Sequence, residues 1–203
     1  MLGDDERPAD NIYGEQPYGD ATGRRIAIRY YPAPGRPGGL NIFDLEDGSN
    51  HESLSGKPPF PADRPYTPRP TGHGAWIGQT GSIFFSTGWD ATAKGNVWSG
   101  KVGDDKPALV YEGKRFGHVS VSRDGKYWIG DCGEEGVPIY IGSFATGRCK
   151  RACFSRTEYD GKQWSHAHPY LTADNKWLIF GARRNAHPQA YGAKLKKGWL
   201  DTL

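Results

Sequence analysis

Short runs of alternating apolar and polar residues, separated by turn residues, cover most of the chain. In Arg25–Tyr30, for example, Ile26, Ile28 and Tyr30 alternate with smaller or charged residues. Side chains alternate between the two faces of a strand, so this pattern predicts half-buried β-strands. No segment carries the apolar stripe at i, i+3, i+4 and i+7 that a helix needs. The pattern therefore predicts an all-β fold with almost no helix.

One order of elements recurs along the chain: a strand, a turn, and then two further strands. The turn positions are Gly23, Gly81, Gly125 and Asn175, which are 58, 44 and 50 residues apart. The strands expected around these turns are residues 25–30, 40–45, 73–77, 82–86, 96–99, 118–122, 127–130, 139–142, 168–172, 177–180 and 189–192. A four-stranded unit that recurs about every 40–50 residues is typical of a β-propeller blade.

The repeats also set the expected boundaries. A tail at residues 1–12 precedes a partial propeller at residues 13–203, with blades near residues 13–56, 71–112, 116–155 and 164–200. Residues 57–70 contain six prolines without alternation, which predicts a long loop between blades. Four blades are at the lower end of what closes a propeller. The repeats alone are compatible with a small propeller or with the C-terminal part of a larger one.

Composition agrees with this architecture and narrows the function classes. The 203 residues include 29 Gly, 15 Pro, 7 Trp and 11 Tyr, which suits short strands joined by tight turns. A net charge of +3 gives no indication of a nucleic-acid partner. No apolar run is long enough to cross a bilayer, and the acidic start of the chain lacks the apolar core of a signal peptide. We therefore expect a cytoplasmic protein without nucleic-acid or membrane partners.

The cysteines give no indication of a disulfide framework. Cys132, Cys149 and Cys153 cannot all pair, and no fourth cysteine completes a structural zinc site. We expect small buried residues, and the odd count favours a reducing compartment.

The strongest chemical motif lies near the end of the chain, where Gln163, His166 and His168 occur as Q-x-x-H-x-H. In an extended chain the two imidazoles would point to the same side. Pro169 is expected to hold His168 in an extended conformation, since a residue before proline avoids the helical region. Two imidazoles form half of a metal site, and the remainder must come from elsewhere in the chain.

The repeats indicate where the other ligands are. His73, His118 and His168 each stand on the expected first strand of a unit, and the innermost strands of a propeller line its central channel. This placement predicts a ligand set of His118, Gln163, His166 and His168. The alternative is that these are channel-lining polar residues bonded to water and backbone. Imidazole ligands by themselves favour zinc, iron or nickel.

These residues also carry a family resemblance. The stretch KQWSHAHP at residues 162–169, with Asp174-Asn175 and the YGAKL of residues 191–195, resembles the end of an oligogalacturonate lyase. Gly117-His118 with Gly130-Asp131 is similar to that family's metal-histidine segment, and the H-x-x-W of residues 73–76 matches the segment of its base. The resemblance covers residues 14–200. These lyases are seven-bladed propellers that cleave short pectin fragments.

The resemblance implies a function and a role for each residue. The metal ligands would be His118, Gln163, His166 and His168, the ion would be manganese or another divalent cation, and His73 would be the catalytic base. The substrate would be an oligogalacturonide or another uronate oligosaccharide, cleaved by β-elimination. A chain of 203 residues has space for about four blades of 40–50 residues, so the chain would be the C-terminal portion of such a propeller.

Substrate contacts are less clearly indicated. The family arginine that neutralises the substrate aligns with Leu40, and Arg29 or Arg36 would have to replace it. Arg183 could meet an acidic sugar near the channel mouth, or it could lie in a solvated turn. Trp164, inside the metal motif, is the aromatic residue expected to stack on a sugar ring.

Two other functions remain open at this point: a non-catalytic propeller that binds partners, and a metal-binding relative that binds uronates without lyase activity. The sequence gives no indication of the oligomeric state.

Overall fold

The structure is a computed structural model. It describes residues 9–10, 25–30, 39–44, 46–47, 49–51, 70–87, 93–101, 104, 106–162 and 165–203. In residues 9–10, 25–30, 39–43, 50–51 and 70–72 the description is limited to the backbone.

The described strands form four antiparallel sheets that follow one another along the chain. The first sheet consists of β1 (Ala9–Asp10), β2 (Arg25–Tyr30), β3 (Gly39–Asp44) and β4 (Asn50–His51). The second consists of β5 (Pro70–Trp76), β6 (Ser82–Thr87), β7 (Val97–Lys101) and β8 (Ala108–Tyr111). The first sheet thus includes a strand at Ala9–Asp10, inside the expected tail.

The third and fourth sheets hold most of the candidate chemistry. The third consists of β9 (Phe116–Val121), β10 (Tyr127–Cys132), β11 (Pro138–Ser143) and β12 (Cys149–Phe154). The fourth has three strands among the described residues: β13 (Tyr170–Leu171), β14 (Trp177–Arg184) and β15 (His187–Lys194). A single turn of 3-10 helix follows at Leu200–Thr202. The prediction of an all-β fold is confirmed, and no described helix is long or apolar enough to span a bilayer.

The third sheet is covered on both faces, and its sequence explains why. Neighbouring residues of a strand face opposite sides, so Trp128 packs toward the second sheet while Ile129 packs toward the fourth. Tyr140 and Ile141 on β11 divide in the same way. Trp128 and Ile129 are both fully buried. Burial on both faces explains why β10 and β11 carry apolar residues at successive positions instead of strictly alternating apolar and polar residues.

Buried polar side chains join successive sheets. Asn96 donates to the carbonyl oxygens of Thr87 and Phe116, at 2.9 and 2.8 Å, and accepts from the backbone N–H of Phe116 at 2.8 Å. Ser120 on β9 donates to the carbonyl oxygen of Pro169 at 2.6 Å. Because buried polar groups without partners are costly, these bonds fix how each sheet meets the next.

All three cysteines are free thiols; Cys132 is buried as expected, whereas Cys149 and Cys153 are half-buried. Burial raises the pKa of Cys132 to about 11 and that of Cys149 to about 12. Thiols with such raised pKa values stay protonated near neutrality and are poor nucleophiles.

Candidate metal centre

Three histidines from two sheets converge at the inner ends of the third and fourth sheets. His118, His166 and His168 each offer a ligand atom, and these atoms all lie within 4.8 Å of one another. Nδ1 of His166 is 2.9 Å from Nε2 of His118. Two nitrogens that each bind one ion at about 2.1 Å would be roughly 3 Å apart at a right angle. The distance between these two nitrogens therefore suits either a hydrogen bond between the rings or two ligands of one cation, and His168 lies close enough to complete a group of three.

His118 is oriented by a buried carboxylate. It lies on β9, and its ring Nδ1 is 2.7 Å from Oδ2 of Asp131, while its backbone N–H donates to Oδ1 of the same residue at 2.7 Å. Pairing between β9 and β10 shifts register between Gly130 and Cys132, which turns Asp131 toward His118. A glycine stands at position 117, where a Cβ would come within 3.0 Å of Oδ1 of Asp131.

The charge of Asp131 determines which nitrogen of His118 is available. Burial alone would raise the pKa of Asp131, but the hydrogen bonds from His118 outweigh burial and lower it. An ionised carboxylate accepts hydrogen bonds and cannot donate them, so the proton of His118 belongs on Nδ1. The lone pair on Nε2 then faces the other two histidines. Carboxylates commonly orient metal-binding histidines in this manner.

His166 and His168 lie on an irregular segment before β13. The backbone N–H of Gly181 donates to the carbonyl oxygen of Ala167 at 2.7 Å, and Ser120 holds Pro169 from the other side. His168 has φ +41°, so the expectation of an extended conformation before Pro169 is wrong. A non-glycine residue in the left-handed region is strained, and such strain persists only where the surroundings enforce it.

The protonation of His166 also suits a ligand. Burial lowers its pKa, and the neighbouring His118 and His168 lower it further, so the neutral ring is favoured. Its Nε2 is buried without a hydrogen-bond partner in the described part of the chain. A neutral ring has one N–H and one lone pair, so Nδ1 can offer its lone pair to a shared cation only when Nε2 carries the proton. The residues present therefore fit a divalent cation, although nitrogen donors alone favour zinc, iron or nickel over manganese.

His73 stands beside this group without belonging to it. The half-buried residue lies on β5, and its ring is 4.6 Å from that of His118 at an interplanar angle of 83°, and 6.2 Å from that of His168. Among the described residues, the group with mutually close ligand atoms contains only His118, His166 and His168. His73 is thus placed next to the candidate cation site as a separate imidazole.

The other predicted site residues divide into two groups. Gln163, Trp164 and Arg36 lie outside the described residues, and Arg29 lies on β2, where only the backbone is described. Arg183 is described, and its guanidinium pairs with the carboxylates of Glu158 and Asp160, each at 3.4 Å. Its side chain is therefore already engaged by two anions.

Two residues at the site had no role assigned from the sequence. Asp131 was visible only as part of the Gly130-Asp131 pair, and its function depends on a register shift that the sequence pattern does not show. The ring of Tyr159 lies 5.1 Å from that of His166, and no spacing rule links these two positions.

Comparison with solved structures shows the fold. An oligogalacturonate lyase in complex with manganese superposes with a TM-score of 0.65 at 16% identity, covering 91% of this chain and 48% of the lyase. TolB from Acinetobacter baumannii gives 0.61 at 16% identity, covering 88% and 40%. An oligogalacturonate lyase from Vibrio parahaemolyticus gives 0.53 at 12% identity, covering 97% and 68%.

The chain has a β-propeller fold. This confirms the architecture predicted from the repeats. The chain spans about half the length of the manganese-bound lyase. No protein-family model matches the chain, and no curated protein sequence matches it.

Proposed function

We propose that this propeller acts as a divalent-cation-dependent lyase on oligogalacturonides or related uronate oligosaccharides, using His73 as the base. The observation that carries the proposal is the meeting of His118, His166 and His168 around one point, with His73 beside them. The sequence motif and the fold shared with oligogalacturonate lyases support it.

His118, His166 and His168 would hold the cation, with Gln163 proposed as a further ligand. When bound, a divalent cation supplies positive charge to offset the uronate carboxylate and the charge that develops as the neighbouring C–H bond breaks. The three imidazoles are neutral when they bind through a lone pair, so the ligands cancel none of that charge. We propose Mn²⁺ as the ion because of the family resemblance.

His73 would receive the proton from C5 of the uronate. A neutral imidazole accepts protons near neutral pH and is the commonest general base in enzymes. The electrons of the C5–H bond would then form the C4–C5 double bond as the C4–O4 bond breaks, and the departing O4 oxygen would take a proton from solvent. The product is a 4,5-unsaturated sugar, and no nucleophile is needed. The edge-on packing of His73 against His118 supports this role, because it would hold the proposed base next to the proposed cation ligands.

The test measures metal content and eliminative product in matched variants. The wild-type protein should retain a divalent cation by elemental analysis and should generate the ultraviolet absorbance of an unsaturated uronate from oligogalacturonate. His73→Ala should keep the cation and lose the product, with an expected fall of roughly 10²–10⁴-fold in rate. His187→Ala is the control, since His187 is exposed at the start of β15.

Two results would contradict the proposal. Absence of a bound cation after loading with Mn²⁺ or Zn²⁺ would remove the metal centre. A bound cation together with sugar binding but no product would show that the protein is a uronate-binding propeller and not a lyase.

A further inference from the structure

The large aromatic side chain of Tyr159 is exposed to solvent beside the candidate metal centre. It is 65% exposed, the most exposed of the large apolar side chains among the described residues. Its ring lies 5.1 Å from that of His166, with an angle of 38° between the planes. One edge of the ring thus adjoins a cation ligand while most of its surface faces solvent.

The loop that carries Tyr159 is tied to the end of the fourth sheet. The backbone N–H of Glu158 donates to the carbonyl oxygen of Arg183 at 2.7 Å. The carboxylate of Glu158 accepts from the backbone N–H groups of Asn185 and Ala186, each at 3.2 Å. These two residues have positive φ values of 51° and 65°, and Glu158 secures the tight turn they form.

The other side of the loop is tied to the metal segment. Thr157 donates to the carbonyl oxygen of Ser165 at 2.7 Å, and the backbone N–H of Asp160 donates to Oγ of Ser165 at 3.3 Å. Ser165 is fully buried and immediately precedes His166. Hydrogen bonds on either side of Tyr159 therefore tie its loop to the residue that precedes the candidate ligand His166.

Arg183 completes this arrangement. It pairs with the residues directly before and after Tyr159, since its Nη1 is 3.4 Å from Oε2 of Glu158 and its Nε is 3.4 Å from Oδ2 of Asp160. A single guanidinium thus holds both flanks of the aromatic residue. The same contacts make Arg183 a positioning residue for the loop rather than a free cation for substrate.

We infer that Tyr159 is the platform on which a sugar ring stacks when its carboxylate is at the metal centre. This inference rests on the proposed function and names a substrate contact within the same site. A tyrosine ring offers a rigid apolar face that suits the C–H face of a pyranose, with a hydroxyl for its polar edge. Such contact area is useful only where it is exposed next to the reacting group.

The charges around Tyr159 give the sugar an orientation. Glu158 and Asp160 carry one negative charge each; Arg183 pairs with both carboxylates, and Lys162 adds a second positive charge near Asp160. Hydrogen bonds from backbone N–H groups lower the pKa of Glu158, so it is ionised near neutrality. Because Arg183 is already paired with both carboxylates of the loop, a uronate carboxylate is directed to the cation that the histidines would hold, which leaves the apolar sugar face over the tyrosine ring.

Calorimetry distinguishes two roles for Tyr159: a surface on which the sugar ring stacks, and a side chain that covers the cation. Mn²⁺ is titrated into wild type, Tyr159→Ala and Tyr159→Phe, and trigalacturonate is then titrated into each Mn²⁺-loaded protein. We expect Mn²⁺ affinity to stay within about twofold, sugar affinity to fall about tenfold or more in Tyr159→Ala, and Tyr159→Phe to retain most of it.

Trp177→Ala is the matched control. Trp177 is also exposed, at 40%, and stands at the opposite end of β14 from Arg183. Six residues of strand separate the two by about 20 Å, so the control should change neither titration. Thermal melting verifies that each variant is folded.

Three other outcomes of these titrations would each contradict a different part of the proposal. Equal sugar affinity in wild type and Tyr159→Ala removes the platform and leaves the proposed function standing. A loss of Mn²⁺ affinity in Tyr159→Ala makes the tyrosine a cover for the cation and overturns the platform. Binding of Mn²⁺ without any binding of trigalacturonate in the wild type overturns both the platform and the uronate substrate.

Discussion

The third and fourth sheets contribute to the same candidate centre by different means. His118 stands on the inner strand of the third sheet, where the pairing with β10 shifts register, and a buried carboxylate on that neighbouring strand fixes its ring. His166 and His168 stand on an irregular segment that precedes the short strand β13, and His168 is in the left-handed region. Backbone contacts from Gly181 and Ser120 hold that segment.

This difference indicates that the two sheets have different roles in positioning the candidate ligands. A candidate ligand fixed by secondary structure and a carboxylate has one orientation, so it would set where a cation lies. Ligands on an irregular segment can adjust their positions to the ion, provided that neighbouring backbone keeps the segment in place. Substitutions in the third sheet should therefore act through stability and ring orientation, and those in the fourth through the position of the segment.

The largest expected effect is on stability, and it concerns the turn residues of the third and fourth sheets. Gly125 has φ +71°, and a Cβ there would come within 2.8 Å of the backbone of Gly78. Gly125→Ala combines left-handed strain with overpacking, so we expect a loss of at least ~2 kcal/mol in the free energy of unfolding, measured by urea denaturation.

Asn175 is the matched position in the fourth sheet, with φ +56° and a 3.0 Å hydrogen bond from its amide to Oδ2 of Asp124. Asn175→Gly relieves the strain while losing that bond, which is worth about 1 kcal/mol, so its net effect should be small. Equal destabilisation by the two variants would show that the third sheet is no more tightly packed than the fourth.

The next prediction removes the orientation of His118. Asp131→Asn keeps the shape of the side chain, but the backbone N–H and the ring Nδ1–H of His118 donate to different oxygens of Asp131, and the amide replaces one of these acceptors with an NH2 donor. We expect the affinity for Mn²⁺ or Zn²⁺ to fall by about 10–100-fold, measured by calorimetry. Asp124→Asn serves as the control, because Asp124 lies in the turn of the same hairpin and its hydrogen bonds are with Ser122, the backbone N–H of Lys126 and Asn175 rather than with a histidine. An unchanged affinity in Asp131→Asn would mean that the carboxylate does not set the tautomer.

The smallest effect should come from the backbone support in the fourth sheet. A Cβ at Gly181 would lie 3.0 Å from the carbonyl oxygen of His166, so Gly181→Ala should displace the ligand segment by a few tenths of an ångström. We expect cation affinity to fall about fivefold, equivalent to ~1 kcal/mol. At Gly192, on the adjacent strand, a Cβ would meet side-chain atoms at 3.4 Å, and Gly192→Ala is the control. If both variants bind the cation equally, contact with Gly181 does not hold the segment.

The residue pattern predicted much of the fold because its signals are local. Alternation and turn residues placed β2 at Arg25–Tyr30, and they located most inner strands to within a few residues. The outer strands Ala108–Tyr111 and Cys149–Phe154 were not placed, because strands at the outer edge of a sheet need little apolar alternation. The sequence of β12, which is rich in basic residues and partly exposed, has no such signal.

The candidate site was predicted where a motif or repeat marked it. His166 and His168 are two residues apart, and the repeat assigned His73 and His118 to inner strands, so their meeting could be anticipated. Asp131 contacts His118 because the register between their strands shifts. Tyr159 contacts His166 through a loop that pairs with Arg183, which is 24 residues away along the chain. Neither contact follows from spacing along the chain.

The sequence by itself determined an all-β chain of repeated units and the identity of the imidazoles, because alternation, turn glycines and motif spacing act over a few residues. Only the tertiary structure decided that His118, His166 and His168 share one point, that a carboxylate orients one of them, and that Tyr159 is exposed at their edge. Those relations depend on how successive sheets pack, and packing joins residues whose separation along the chain carries no information about their distance in space.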